Sequence, residues 1–243
     1  MRIYIGTSGW NYFWNPDGLR WYVENTRFNS IELNMSFYGF PRPKQVLRWK
    51  REGNELRWVI KVHRSITHLR KLSEVSLKTW HKFRDIFKEL ETNIDYYLFQ
   101  FPPSLGYSDK ILSRILNFHK IGNVGDKMAI EPRHESWFRA NIEEKLSSYG
   151  IVIVTPDSPM FNGLPFNRIY VSSDVVYLRI HGRSEWYSHI YSSDELNELA
   201  EKVLETGVER AYIFLNNDHG MLPNGNELVD IFLKKGCSVS REN

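Results

Sequence analysis

Charged and hydrogen-bonding residues recur in this sequence at the ends of short apolar runs, often as pairs two residues apart. Ser8 ends the first run, Glu32 and Asn34 the second, and Lys61 and His63 the third. Gln100 lies on the fourth, Glu131 and Arg133 on the fifth, and Asp157 after the sixth. Arg179 and His181 end the seventh, and Asn216 and Asp218 the eighth. In extended chain, residues i and i+2 share a face, so each pair projects together. An unpaired charge facing an apolar layer is costly, which directs these side chains to a common mouth where opposite charges meet. Such a set can do acid–base chemistry, with Glu32 or Glu131 as base and His181 as acid. Lys61 could serve as an amine of lowered pKa, a base or a nucleophile. Arg133 and Arg179 are suited to grip an anion bidentately. The same residues also read as ion pairs that plug the mouth, Glu131 with Arg133 and Glu32 with Lys61, and His181 as a hydrogen-bonded core histidine.

A metal offers a second chemistry. Glu32, His63, Glu131, Asp157, His181 and Asp218 are suitable oxygen and nitrogen ligands for zinc, manganese or magnesium. Lys61, Arg133 and Arg179 share those runs and would repel a cation, so the charges favour an anion pocket. The sequence requires no cofactor, assigns no metal ligand and leaves a divalent metal open. Aromatic residues follow the same runs: Trp10, Tyr12 and Trp14; Phe37, Tyr38 and Phe40; Trp137; Trp186 and Tyr187. Rings in such positions stack on sugars or bases, or simply cover the mouth.

The elements that must position these residues follow from the runs themselves. Residues 2–8, 30–34, 57–62, 96–101, 127–132, 151–155, 175–181 and 210–216 are rich in Val, Ile, Tyr and Phe and too short for helices. Helical spacing lies between them. Ser73 and Ser76 precede an amphipathic stretch to about Glu91, Ser108-Asp109 opens another, and Ser193-Asp194-Glu195 a third. A further helix is expected from about Asn226 to Lys235, with Gly236 as its cap. Eight strands alternating with helices predict parallel pairing, and the lack of a linker or composition break predicts one closed α/β domain over 1–243, a (β/α)8 TIM barrel. GTSGW after the first strand is not a dinucleotide-binding loop, which weakens an open doubly wound sheet. PDSPMFNGLPFN makes the sixth unit irregular, without a full helix.

Composition sets the outer bounds. The chain has 243 residues, 42% of them hydrophobic and 25% charged, as in a globular protein. The lone cysteine, Cys237, excludes an internal disulfide and a cysteine-based zinc cluster. There is no signal-like leader and no apolar run of about 20 residues, so the expected location is the cytoplasm, with no membrane partner. The net charge is +3, but residues 42–71 alone carry ten Lys/Arg against Glu52 and Glu55. That stretch reads as a solvated helix face or as a patch for phosphates and nucleic acid. Nothing in the sequence specifies an oligomeric state.

At these residues the sequence resembles the YecE-like proteins (domain of unknown function 72). The matching blocks run from end to end: GTSGWNYFW, IELNMSFYGFP, KVHRSITHLRKL, LFQFPPSL, EPRHESWF, RIHGR and FLNND. The resemblance implies a TIM barrel and a family-typical set of residues at the strand ends. Carried onto this chain, the set comprises Ser8, Trp10, Glu32, Asn34, Tyr38, Lys61, Thr67, His68, Gln100 and Pro102. It continues with Glu131, Arg133, Trp137, Arg179, His181, Asn216 and Asn217. Leu215, where an aromatic is usual, and MLPNGNEL, without small alanines, depart from the pattern in the eighth loop. The family's activity is unknown; its barrel is similar to the endonuclease IV and xylose isomerase group, an analogy of fold alone. The leading expectation is an enzyme using acid–base chemistry on a small anionic substrate, phosphorylated or nucleotide-like. The alternatives are a nucleic-acid-binding or metal-dependent nucleic-acid-processing protein, and a non-catalytic metabolite-binding barrel.

Overall fold

The computed structural model describes residues 1–241. Strands and helices alternate from the start: β1 (Arg2–Thr7), α1 (Gly18–Asn25), β2 (Ser30–Leu33), α2 (Pro43–Glu52), β3 (Arg57–Lys61), α3 (Leu77–Ile86) and β4 (Ile94–Gln100). There follow α4 (Asp109–Ile121), β5 (Met128–Glu131), α5 (Ser136–Arg139), α6 (Glu143–Ser147) and β6 (Val152–Asp157). The chain ends with β7 (Val171–Ser172), β8 (Val175–Ile180), α7 (Ser193–Glu205), β9 (Arg210–Leu215) and α8 (Met221–Lys234). The sheet order is β1-β9-β8-β6-β5-β4-β3-β2, with β7 paired to β8 off that path. The eight strands of the path are parallel to their neighbours, and only the short β7 is antiparallel. Helices return the chain between strands, and the whole is a nearly closed (β/α)8 barrel.

The strand ends meet at a seam between β1 and β2 that side chains close in place of a full ladder. The Asn29 backbone N–H donates to Ile5 O at 3.2 Å. Its side-chain oxygen accepts from Ile5 N at 2.8 Å, and its amide donates to Ile3 O at 2.8 Å. The Tyr22 hydroxyl donates to Ser30 O at 2.9 Å and accepts from Thr7 N at 3.2 Å. A Cβ on Gly6 would stand 2.3 Å from Ser30 O, so only glycine lets the strands approach this closely. Residues past α8 cover the lower seam. Ile3 N donates to Ser238 O, and the Arg241 guanidinium donates to the carbonyls of Val23, Thr26 and Phe28. Asn29→Ala would strand two buried backbone groups of β1. A loss of about 2–4 kcal/mol is expected in urea unfolding, with the denaturant slope unchanged. A loss under about 1 kcal/mol would mean that water takes over the side chain's role.

Two apolar layers follow from strand alternation. One side of each strand packs on the helices, with Trp58, Trp80, Trp137 and Phe83 among its largest members. The other fills the barrel with Tyr4, Val59, Tyr96, Leu98, Ala129, Val154, Tyr177, Tyr212 and Phe214. Tyr4 stacks on Tyr212 at 4.5 Å, and Tyr96 meets the same ring edge-on at 5.1 Å. On this inner side, strand polarity changes toward the C-terminal ends, where Glu32, Lys61, Glu131 and Arg179 stand.

Two expectations about helices need comment. The sixth unit has single helical turns at Pro159–Phe161 and Pro165–Asn167 instead of a helix, as its Pro- and Asn-rich composition predicts. The last helix starts at Met221, five residues before the expected Asn226, so Pro223 and Gly225 lie inside it. Pro223 is in the first turn, where no intrahelical N–H bond is lost. Gly225 lets α8 close on Phe28, whose ring carbons would lie 2.5 Å from an added Cβ.

Candidate active site

Arg179 organises the mouth. It projects from β8 into the barrel, fully buried, between Glu32 of β2 and Glu131 of β5. Its Nε and Nη2 donate to the two oxygens of Glu32 at 2.9 and 2.5 Å, the bidentate geometry that suits a planar guanidinium. Nη1 donates to Glu131 Oε2 at 2.7 Å and approaches His181 Nε2 at 3.4 Å; Nη2 also reaches Ser8 Oγ at 3.3 Å. These contacts engage all three guanidinium nitrogens. Glu32 is further held by the hydroxyls of Ser8 and Tyr177, each at 2.8 Å.

Glu131 is held equally tightly. Besides Arg179, it meets Arg133 Nη2 at 2.8 Å and His181 Nε2 at 2.9 Å. Burial pushes its pKa up, but Arg133, Arg179 and the His181 hydrogen bond outweigh that and hold it well below the usual carboxylate range. His181 is fully buried, and burial together with Arg133 and Arg179 keeps its imidazole neutral. A proton on Nε2 lets the ring donate to Glu131, while Nδ1 accepts from the Asn216 amide at 3.0 Å. Neutral His181 thus orients Glu131.

Lys61 stands apart. It ends β3 and is 9% exposed, and its ammonium group has no hydrogen-bond or ion-pair partner among the described residues, although its carbonyl accepts from the Ser36 hydroxyl at 2.7 Å. Its ammonium group lies 4.6 Å from the centre of the Phe37 ring. The mouth's carboxylates are occupied by arginines, so none is left to neutralise it at contact distance. Burial is the main cause, with Arg179 next, of a pKa pushed down to about 7. Nearby His68 is driven down to about 4 by burial and by Lys61 and Arg133, and its Nδ1 lies 2.9 Å from Thr67 Oγ1. Arg133 keeps a buried Nε without a partner, and its guanidinium lies 4.8 Å from the centre of the Trp186 ring.

The loop after β8 covers this cluster. Gly182 turns with φ +112°, and a Cβ there would fall 2.3 Å from Glu185 O. That turn brings Trp186 and Tyr187 to 5.6 and 6.0 Å from the His181 ring. Beside the cluster, a cleft of about 450 Å³ is lined by Ser8, Gly9, Trp10, Asn11, Tyr12, Leu33, Asn34 and Met35. The Asn34 amide donates to Ser8 O, and its buried oxygen has no partner. Ser8 therefore touches both the cleft and Glu32.

The structure brings Ser8, Glu32, Lys61, Glu131, Arg133, Arg179, His181 and Asn216 together, with Asn34 at the cleft. Gln100 ends β4 beside Glu131 in the ladder. Trp10 packs edge-on against Trp49 and Trp58 while lining the cleft, and Tyr38 is 70% exposed at the rim. Two residues lie elsewhere. Trp137 is fully buried in the helix layer, its indole donating to Leu105 O. Asp157 has the opposite strand parity to Val152 and Val154, and its carboxylate meets Tyr191 and Arg183 outside the barrel. Tyr177 was absent from the expected site, and Phe37 was expected only among the aromatics around the mouth. Tyr177 precedes Arg179 by two residues, so alternation alone could have found it.

Charge is distributed differently from the sequence stretch. Residues 42–71 divide between α2 on the outside, β3, and the helical turn Ser65–Leu69 above the barrel. Arg48 pairs with Glu52, Arg57 with Asp95, and Lys61 lies inside the mouth. Among the described residues, no group of three His, Cys, Asp or Glu side chains could hold a metal ion. A cavity of about 390 Å³ opens at the other end of the strands, but most of its charges are paired, Arg57 with Asp95, Lys127 with Glu91 and Arg210 with Asp174. The mouth is the better candidate because it keeps an unpaired amine at Lys61 and a free guanidinium nitrogen on Arg133. No helix of the described residues is long and apolar enough to cross a membrane.

Parallel strands that deliver their charged residues to one C-terminal mouth define a (β/α)8-barrel protein of the TIM type. The chain belongs to the family described as "Protein of unknown function DUF72", whose model matches residues 4–225. The UPF0759 protein YecE of Escherichia coli K12 is 28% identical over 153 residues, 61% of this chain. That match spans 55%, about half, of the curated relative. A DUF72 family crystal structure from Thermotoga maritima is 27% identical, with TM-score 0.82 over 95% of this chain and 99% of that one. One from Enterococcus faecalis, 18% identical, has TM-score 0.78 over 99% and 98% and bears on the fold alone. The family resemblance read from the sequence blocks is thus confirmed.

Proposed function

We propose that the barrel mouth is the active site of an enzyme that carries out acid–base chemistry on a small anionic substrate. The observation that carries this reading is the spare cationic capacity beside a saturated network: the Lys61 amine, without a counter-ion, and Arg133, which pairs with Glu131 through Nη2 but keeps a free, buried Nε. Arg133 holds the anion. Lys61 exchanges the proton, because its pKa of about 7 populates both forms at neutral pH. Glu131 is held too far below the usual carboxylate range by Arg133 and Arg179 to serve as the working base, and Glu32 is bound by Arg179 through both oxygens; with Arg179 they form the rigid floor against which the substrate is oriented. Ser8 and Asn34 offer polar contacts at the cleft, and Trp186 limits water at Arg133.

Calorimetric titration at low salt with inorganic phosphate and small carboxylates tests the site. Saturable binding is expected, weakened about tenfold or more in Arg133→Gln by loss of charge-assisted hydrogen bonds. Absence of binding by every anion at millimolar concentration would end this reading. Binding without solvent proton exchange into any bound compound, followed by NMR in D2O, would reduce the protein to a binder.

A further inference from the structure

We infer that Lys61 is an imine-forming lysine, and that the group it attacks is the carbonyl carbon of a small aldehyde or ketone bearing an anionic substituent; this rests on the mouth being the anion-binding active site proposed above. Lysines on protein surfaces are ammonium ions and do not attack carbonyls until deprotonated. Lys61 differs in its surroundings. Its stem is enclosed at the end of β3, and its nitrogen faces the Phe37 ring in place of a carboxylate. Arg179 spans Glu32 and Glu131, while Arg133 and His181 take the remaining Glu131 oxygen. The two acids are thereby withheld from ion pairing with the amine. They still act on it at longer range in favour of positive charge. That field supports a protonated imine once it forms. Arg133, across the mouth, supplies the cation for the substrate's anionic end. A general base needs only a lone pair at the right place; this lysine also has an unpaired amine, partly neutral at pH 7, in a mouth it shares with an anion-holding arginine, the arrangement a covalent step requires.

The step balances without an oxidant or reductant. The neutral Nζ lone pair bonds to the carbonyl carbon, and the π pair moves to oxygen, which takes a proton. Nζ gives up a proton, the C–O bond breaks, and the oxygen leaves as water after a second protonation. Amine plus carbonyl plus one proton becomes protonated imine plus water. Water reaching the exposed part of Lys61 carries the protons, with the neutral His68 ring nearby as an acceptor.

Reductive trapping tests this directly. The full chain is incubated at pH 7 with glyoxylate and cyanoborohydride, which delivers hydride to the iminium carbon, and the modified lysines are mapped by peptide mass spectrometry. Lys61 is expected to be labelled about tenfold or more faster than any other lysine, because far more of its amine is free at this pH. Its labelling rate should rise with a midpoint near pH 7. Propionaldehyde, which lacks the carboxylate, should label Lys61 more slowly, and Arg133→Gln should erase that difference. Equal Lys61 labelling by both aldehydes in the unmodified chain would uphold the imine and remove the anion site. Arg133-dependent phosphate binding with no Lys61 selectivity would overturn the imine and leave the anion site standing. Lys61→Arg, checked for an unchanged fold by circular dichroism, must lose the selective adduct; its persistence on another lysine would also overturn the assignment.

Discussion

Arg179→Met is expected to lower the free energy of unfolding by about 3–5 kcal/mol at pH 7, the largest loss of any single change at the mouth. Among the described residues the guanidinium is the only partner shared by Glu32 and Glu131, and all three side chains are fully buried. Its removal leaves one buried carboxylate with hydroxyl partners and the other with Arg133 and His181. Burial would then raise the carboxylate pKa values in the variant above their unfolded values. The deficit should therefore shrink as pH falls from 7 toward 5, where the acids take up protons on folding. Adding Glu32→Gln and Glu131→Gln to Arg179→Met should recover at least half of the loss, since the cost lies in stranded charge and not in volume. Guanidinium denaturation of the single and triple variants at pH 7 and 5 checks both points. A single variant within about 1 kcal/mol of the parent would show that water enters the mouth and solvates the acids.

Lys61→Met is expected to act in the opposite direction. The folded-state pKa of Lys61, about 7, lies below its ordinary value of 10.5. Folding therefore works against the charged amine, and this cost is full below about pH 7. It declines as pH rises through the window from about 7 to 10.5, so this group makes the parent more stable with rising pH there. The variant lacks the effect. Its gain over the parent should be on the order of 3–5 kcal/mol at pH 6 and should approach zero near pH 10. Comparing the two proteins at each pH cancels the other titrating groups. A difference that stays constant across the range would mean that the amine keeps an ordinary pKa and is solvated in the native state. The test is independent of any ligand, and it bears on whether evolution has retained a destabilising residue where chemistry would use it.

Much of this architecture could be read from residue order alone, for identifiable reasons. Every barrel strand falls within two residues of the run that predicted it, because β-branched and aromatic residues cluster there and break at Gly, Asn or Pro. The inward set Glu32, Lys61, Glu131 and Arg179 follows from alternation and from the cost of placing charge against helices. Alternation also explains the two residues that lie elsewhere. Asp157 ends a strand that runs two residues beyond the expected Thr155, and the parity of Val152 and Val154 turns it outward. Trp137 sits on a short helix that folds its indole under the loop at Leu105, a local turn with no apolar period to betray it. The helices α1 and α2 were not anticipated, since α2 buries only Val46 and Trp49 amid five basic side chains in and beside it. The pairing scheme was the least legible part. Glu32 and Arg179 are 147 residues apart, and only closure of the barrel decides that Arg179, not Lys61, meets Glu32. That choice turns a set of charges into a saturated floor with one free amine.

The side-chain seam has a consequence in time. Strands β2 through β9 can pair as each is completed, but the β1–β2 edge is held by Asn29, Tyr22, the Ser8 contacts to Glu32 and Asn34, and the residues that follow α8. Ser238 and Arg241 are among the last residues described, and they reach β1 and the carbonyls between α1 and β2. During synthesis the first strand must therefore wait for Ser238 and Arg241 to be made before its lower edge is covered. The mouth draws Ser8 and Glu32 from either side of that same edge. Its network is completed only when β8 and the Asn216 that follows β9 have been made, so until then the nascent barrel carries Ser8 and Glu32 without Arg179.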